Sequence, residues 1–198
     1  LEELEERAVF EDTVVALDAS ISMKGKEFEP SKFEAAKLAL KRFVEVRLGS
    51  HPMDRIGLLV FYGYAVPVAD PTEERETLLS LIQKLAVLGE ATNLGDAIIA
   101  GTRMFAAAQS REFERRVLVL TDGTFNQGPD PAAASLYALS KRVRVDFVLL
   151  GRLGQDDTAV VERCTQITDG SFSYATDADE LMAKLVAYAE KSRNVVRR

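Results

Sequence analysis

Three short segments hold side chains that could do chemistry together. They are Asp18-Ala19-Ser20-Ile21-Ser22, Ala91-Thr92-Asn93-Leu94-Gly95-Asp96 and Thr121-Asp122-Gly123. Each is rich in short, oxygen-bearing side chains. Two carboxylates (Asp18, Asp122) and three hydroxyls (Ser20, Ser22, Thr92) can converge if the three segments meet. Oxygen-only ligation suits a hard divalent cation; Mg²⁺ is the natural candidate, with Mn²⁺ or Ca²⁺ as alternatives. The alternation in DxSxS sends Asp18, Ser20 and Ser22 towards one side of a tight loop. Two carboxylates only balance a divalent ion, and hydroxyls add no charge. Such an ion stays electrophilic and can take a further anionic oxygen, such as a carboxylate from another protein.

Composition narrows the choice. One cysteine, Cys164, and one histidine, His51, leave no disulfide framework, no multi-thiolate metal site and no site needing two imidazoles. A metal here must be held by oxygen. With 25 Lys+Arg against 31 Asp+Glu and a net charge of -6, the chain lacks the basic balance of a nucleic-acid-binding domain. No apolar run approaches the ~20 residues of a membrane span, and no secretory leader pattern opens the sequence. The expectation is therefore no nucleic acid and no membrane. Cysteine poverty fits a reducing, cytoplasmic compartment. Leu1 in place of Met is what a segment cut from a longer protein would show.

The elements that must position these segments alternate. The length of 198 residues suits one domain. Residues 1–11 read as an acidic lead-in, 12–192 as the domain and 193–198 as a basic tail. Apolar, β-branched runs predict buried strands at Thr13 to Leu17, Ile56 to Tyr62, Val117 to Leu120 and Val143 to Leu150. Ala65 to Val68, closed by Pro67 and Pro71, predicts an edge strand, and Ser171 to Tyr174 a short last strand. Between them fall helical stripes. Phe33, Ala36, Leu40, Phe43 and Val44 form one, opened by Pro30 and Ser31 and ending near Gly49. Leu78, Leu81, Ile82 and Leu85 mark the next, and Leu94 to Ala108 another. Ala132 to Lys141 follows Pro131; Val160 to Ile167 ends near Gly170; Leu181 to Ala189 closes the series. This alternation predicts an α/β, Rossmann-like three-layer sandwich around a mostly parallel, six-stranded sheet. Ligands of such sheets bind at the carboxyl ends of the strands, and the three segments lie at such positions.

DxSxS after the first strand, a threonine in ATNLGDAI and an aspartate in TDG together resemble the metal-ion-dependent adhesion site of von Willebrand factor type A (VWA) domains. The resemblance runs from about Thr13 to about Ser192. It implies one antiparallel edge strand. It also implies that Ser20, Ser22 and Thr92 ligate the ion, with Asp18 and Asp122 acting directly or through water. The implied function is protein–protein interaction, not catalysis: a partner Asp or Glu is captured through the ion. The layout of EDTVVALDASISMKGKEFEPSKFEAAKLALKRFV is similar to that of the VWA domains of proteasomal ubiquitin-receptor subunits. That similarity implies an intracellular complex-assembly setting, with an AAA+ ATPase or a proteasome/ubiquitin-type complex as partner.

Other readings compete. A phosphatase of the haloacid-dehalogenase type needs a second Asp two residues after the first, where this chain has Ser20. Neither GxGxxG nor GxxxxGK[ST] occurs, and a Ser20 or Ser22 nucleophile has only His51, in a distant loop, for a base. A structural domain stapled by the metal is the third reading. Asn93 reads as a helix cap and Asp96 as a first-turn acid; Glu90 reads as a solvated loop acid. Cys164 reads as a buried, inert thiol, Tyr62 and Tyr64 as packing residues, and Phe125 as a contact residue beside the ion.

Overall fold

A computed structural model describes residues 10–105 and 113–191. Most of the acidic lead-in, the Ala108 end of the third helical stripe and the basic tail lie outside the described residues.

Six strands form one sheet: β1 (Phe10–Asp18), β2 (Arg55–Phe61), β3 (Ala65–Thr72), β4 (Phe113–Thr121), β5 (Val143–Leu150) and β6 (Phe172–Ala175). Their order is β3-β2-β1-β4-β5-β6, parallel throughout except for β3, which runs antiparallel to β2 at the edge. The helices are α1 (Lys32–Ser50), α2 (Arg75–Lys84), α3 (Leu94–Arg103), α4 (Pro131–Ser140), α5 (Gln155–Thr168) and α6 (Ala178–Glu190). This is the sandwich the alternation predicts. β1 starts at Phe10, three residues ahead of the predicted run, so Glu11 and Asp12 belong to the strand. β3 reaches Thr72, past both prolines: Pro67 stays in the ladder opposite Leu59, and register shifts on both sides of Leu58 break it before Thr72.

Strand alternation splits the core in two. Val15, Leu17, Leu58, Val60, Leu118 and Leu120 face α1, α2 and α6, with Phe43, Leu78 and Leu185 packed on them. Val14, Ala16, Leu59, Phe61, Val117 and Val119 face α3, α4 and α5, with Ile98, Ala138 and Cys164 packed on them. The period of two along β1 and β4 produces the two layers directly. Gly101 lets α3 lie close on the sheet, since a Cβ there would touch Val117 and Val14.

The helices start on side-chain caps. Ser31 accepts from the Glu34 amide, Asn93 from Asp96, Asp130 from Ala132 and Ala133, and Asp177 from Glu180. These starts all lie at the carboxyl edge of the sheet or lead away from it.

The opposite, amino edge is closed by a buried charge network. Arg116 donates to Glu11 (3.0 Å) and Asp146 (3.2 Å); Arg47 donates to Asp54 (2.8 Å) and pairs with Glu11 (3.2 Å). Asp146 also accepts from Tyr188 Oη (2.6 Å) and from the amide and hydroxyl of Ser171. Burial, with the Asp146 charge beside it, pushes the Tyr188 phenol well above its ordinary range. One acid thus ties α6, β4 and the start of β6 together. Asp146→Ala is expected to lower stability by about 2–4 kcal/mol, because it takes one acidic partner from Arg116 and leaves the Tyr188 hydroxyl and Ser171 donors without their acceptor. Urea denaturation at neutral pH measures this.

Candidate metal centre

β1 and β4 are neighbours in register, Leu17 opposite Leu120. Their carboxyl ends therefore set Asp18 beside Thr121, and Asp122 one residue further on. Crossovers leave β1 in one direction to β2 and enter β4 from the other side of the sheet. The site thus sits at the topological switch point of the sheet.

Asp18 is fully buried. Its Oδ1 accepts from the Ser20 amide (2.9 Å) and its Oδ2 from Thr121 Oγ1 (2.6 Å). Burial lifts the Asp18 pKa from 3.8 to about 6. The hydrogen bonds from Ser20 and Thr121 oppose that shift, and the charge of Asp122 adds to it. Backbone bonds fix the loop that follows: Ala19 N to Phe61 O, Leu88 N to Ala19 O and Ile21 N to Gly89 O. A 3₁₀ turn, Ile21–Lys24, then buries Met23 and turns Ser22 outwards. Ser20 Oγ and Ser22 Oγ share a hydrogen bond of 3.0 Å, and Ser22 Oγ donates to Asp122 Oδ1 at 2.8 Å. The structure therefore joins Ser20, Ser22 and Asp122 by side-chain bonds, and Asp18 to Ser20 through the backbone amide.

Thr92 arrives from another loop. It is nearly fully buried, and its backbone is clamped by Asn126: Thr92 N donates to Asn126 Oδ1 (3.0 Å), and Asn126 N to Thr92 O (3.3 Å). No hydrogen bond joins Thr92 Oγ1 to the other four residues. Among the described residues, no group of three or more Asp, Glu, His or Cys side chains gathers as a metal cluster. The acids here are two, and the remaining donors are hydroxyls.

Several positioning residues were not legible in the sequence. Asp157, in the first turn of α5, accepts from the amides of Thr124 (3.2 Å) and Phe125 (3.1 Å) and so holds the chain after Asp122. Asn126 carries the Thr92 clamp. Lys32, the first residue of α1, donates to Asp122 Oδ2 at 3.0 Å. Thr121 stood in the TDG motif without a role. Only the acidic first turn of α5 and the turn-forming loop after Asp122 carry any local signal.

Asn93 caps α3, as the sequence predicts. Asp96 does more than complement a dipole, because its Oδ2 accepts from Ala65 N (2.8 Å) and anchors the start of β3. Glu90 is exposed. Cys164 is buried, and burial pushes its thiol pKa up. Tyr62 is half-buried and Tyr64 is 65% exposed. Phe125 differs from expectation: its ring packs half-buried against the α3–α5 core instead of standing free beside the site. The bonds from Asp157 to its own amide and to that of Thr124 hold it there.

A Rossmann-like sheet with acids and hydroxyls on loops at its switch point defines a class, and the comparisons name the family. The von Willebrand factor type A domain profile matches residues 13–124, and the chain belongs to that family. A UPF0353 protein of Mycobacterium tuberculosis is 30% identical over 93 residues, covering 47% of this chain and 27% of that protein. The 26S proteasome non-ATPase regulatory subunit 4 homolog of Arabidopsis thaliana is 26% identical over 152 residues, 75% of this chain and 38% of that one. The chain thus spans well under half the length of these relatives. Among solved structures, the SpRpn10 VWA domain superposes with a TM-score of 0.76 at 17% identity, over 95% of this chain and all of that one. Proximal thread matrix protein 1 of the mussel byssus, with a zinc-occupied MIDAS motif, superposes at 0.73 and 19% identity, over 89% of this chain and 46% of that one. Among the described residues, no helix is long and apolar enough to cross a membrane.

The raised Asp18 pKa has a definite sign. Between pH 3.8 and about 6 the folded chain holds a proton that the unfolded chain has lost. This contribution to stability is complete below the lower value and lost as pH rises through the upper one. In chelator, wild type is therefore expected to lose about 2 kcal/mol relative to Asp18→Asn between about pH 4.5 and pH 7.5. Paired denaturation curves at the two pH values check it.

Proposed function

We propose that this VWA domain is a divalent-metal-dependent protein-interaction module. Asp18, Ser20, Ser22, Thr92 and Asp122 would hold the ion, Mg²⁺ first, with Mn²⁺ or Ca²⁺ as alternatives. The bound ion would take a carboxylate of a partner protein. The proposed functional unit is residues 12–192, to which Phe10 and Glu11 add the first two residues of β1.

The observation that carries this reading is the buried Asp18 carboxylate, which has hydrogen bonds but no cationic partner among the described residues. It stands at one end of a set of bonded oxygens from two loops. Leaving an ionised carboxylate there without a counter-charge is unfavourable, and a cation bound at the rim relieves it. Every donor in the set is a hard oxygen, and two acids leave a divalent ion no surplus negative charge. The ion thus keeps its attraction for an incoming anion. Thr92 Oγ1, unbound to the other four, is free to turn to the ion.

Catalysis has less support. No imidazole or thiol reaches the site hydroxyls: His51 caps α1 at the amino edge of the sheet, and Cys164 sits on α5, buried in the α3–α5 core. Similarity to a proteasome subunit homolog supports a cytoplasmic setting in a proteasome/ubiquitin-type complex, with an AAA+ ATPase as the other candidate partner.

Millimolar Mg²⁺ or Mn²⁺ is expected to raise the melting temperature of the wild-type chain by several degrees over chelator, through mass action on the folded state. Ser20→Ala and Asp122→Ala are expected to abolish the rise while remaining folded. Identical wild-type melts with and without metal would sink the reading. Once a partner is in hand, its capture is expected to require the ion and Asp122. Capture that survives chelation would leave the ion a structural role only.

A further inference from the structure

Lys32 is placed against its local preference. It is the first residue of α1, where the helix dipole disfavours a cation, and its side chain is only 15% exposed. What holds it is Asp122, at 3.0 Å from Nζ, itself 5% exposed. Glu27 stands further off at 3.8 Å and is 67% exposed. The other oxygen of Asp122 accepts from Ser22. The ammonium therefore already occupies one side of a carboxylate that the proposed metal centre needs.

We propose that Lys32 is a built-in counter-cation of this site, one that satisfies Asp122 when no divalent ion is bound and lowers the free domain's affinity for the ion. This rests on the metal-centre reading above. The charge count gives it direction. Without Lys32, two carboxylates and a divalent ion would be neutral. With Lys32, the loaded centre carries one net positive charge, which a partner carboxylate cancels. The ammonium thus disfavours the ion alone and favours the ion together with an acidic ligand. A shared carboxylate in a part-buried setting is where a single charge matters most, because solvent screens it little.

A purely structural ion pair, stapling the loop after β4 to α1, would affect stability but leave ion affinity unchanged. Mn²⁺ titration of the whole chain, read by the loss of free-ion EPR signal, separates the two. Wild type, Lys32→Met and Lys32→Arg are compared, with Asp122→Ala as the variant lacking the site. Lys32→Met is expected to bind Mn²⁺ about five- to tenfold more tightly than wild type, and Lys32→Arg within about twofold of it. In chelator, Lys32→Met is expected to melt below wild type, and Mn²⁺ to narrow or reverse that gap. Equal or weaker Mn²⁺ affinity in Lys32→Met, with wild type still binding, overturns the inference and leaves the metal centre standing. If neither wild type nor either Lys32 variant binds Mn²⁺ up to roughly 10 mM, the metal centre itself falls, and the inference with it.

Discussion

The constraint on which the site depends is a carboxylate at the dehydrated end of the central strand. Asp18 lies where β1 leaves the core, with no exposure and a pKa of about 6. Everything nearby answers that charge. The Ser20 amide turns back onto one oxygen, and Thr121 from the neighbouring strand caps the other. Because β1 and β4 run in register, the same geometry that satisfies Asp18 also delivers Asp122. The two acids raise each other's need for a cation, and only neutral hydroxyls separate them. The position of the site is therefore a consequence of strand pairing, while its charge is a consequence of which residues end the strands.

The two edges of the sheet handle charge in opposite ways. At the amino edge, Arg116, Arg47, Glu11, Asp54 and Asp146 are matched among themselves, with Tyr188 and Ser171 taking up remaining acceptors on Asp146. Buried ions paired in this way hold α1 and α6 on the sheet and offer little to a ligand. At the carboxyl edge, Asp122 has Lys32 as its bonded cation, while Asp18 has none among the described residues. Each acid named at the amino edge has an arginine partner, whereas Asp18 at the carboxyl edge has none among the described residues, and that contrast sets the candidate site apart from the network that stabilises the fold.

Much of this was legible locally. The strands announced themselves as β-branched runs, and the caps Ser31 and Asn93 stood where helical stripes begin. The site residues fell at strand ends, so topology alone brought Asp18 and Asp122 together. What stayed hidden was contact between distant segments. Lys32 meets Asp122 across 90 residues, Asn126 meets Thr92 across 34, and Asp157 holds Phe125 across 32. None of these pairs has a spacing that periodicity can detect. Arg47, Arg55 and Arg116 look like ordinary surface charges in the sequence, yet each is bonded to a buried acid. The Phe125 misreading has the same origin: an aromatic in a turn-rich loop looks free until Asp157, on α5, draws the loop down.

A sheet shared by chains under 25% identical cannot choose a partner, so the choice must lie in what the loops add around the acids and hydroxyls. In this chain those additions include exposed apolar side chains. Ile21 is 47% exposed inside the Asp18–Ser22 loop itself. Leu88, 50% exposed, follows its own amide onto the Ala19 carbonyl, and Tyr64, 65% exposed, stacks edge-on against Tyr62, whose carbonyl receives the Asn93 amide beside Thr92. Each is fastened by its backbone to a loop that carries a site oxygen, so none can move independently of the centre. Core packing gives no reason for three large apolar side chains in these places. A carboxylate alone would bind a cation weakly in water, where both are well hydrated. On the proposed reading, apolar surface fixed around a bound ion would exclude that water and let the same charge attraction discriminate between one acidic ligand and another.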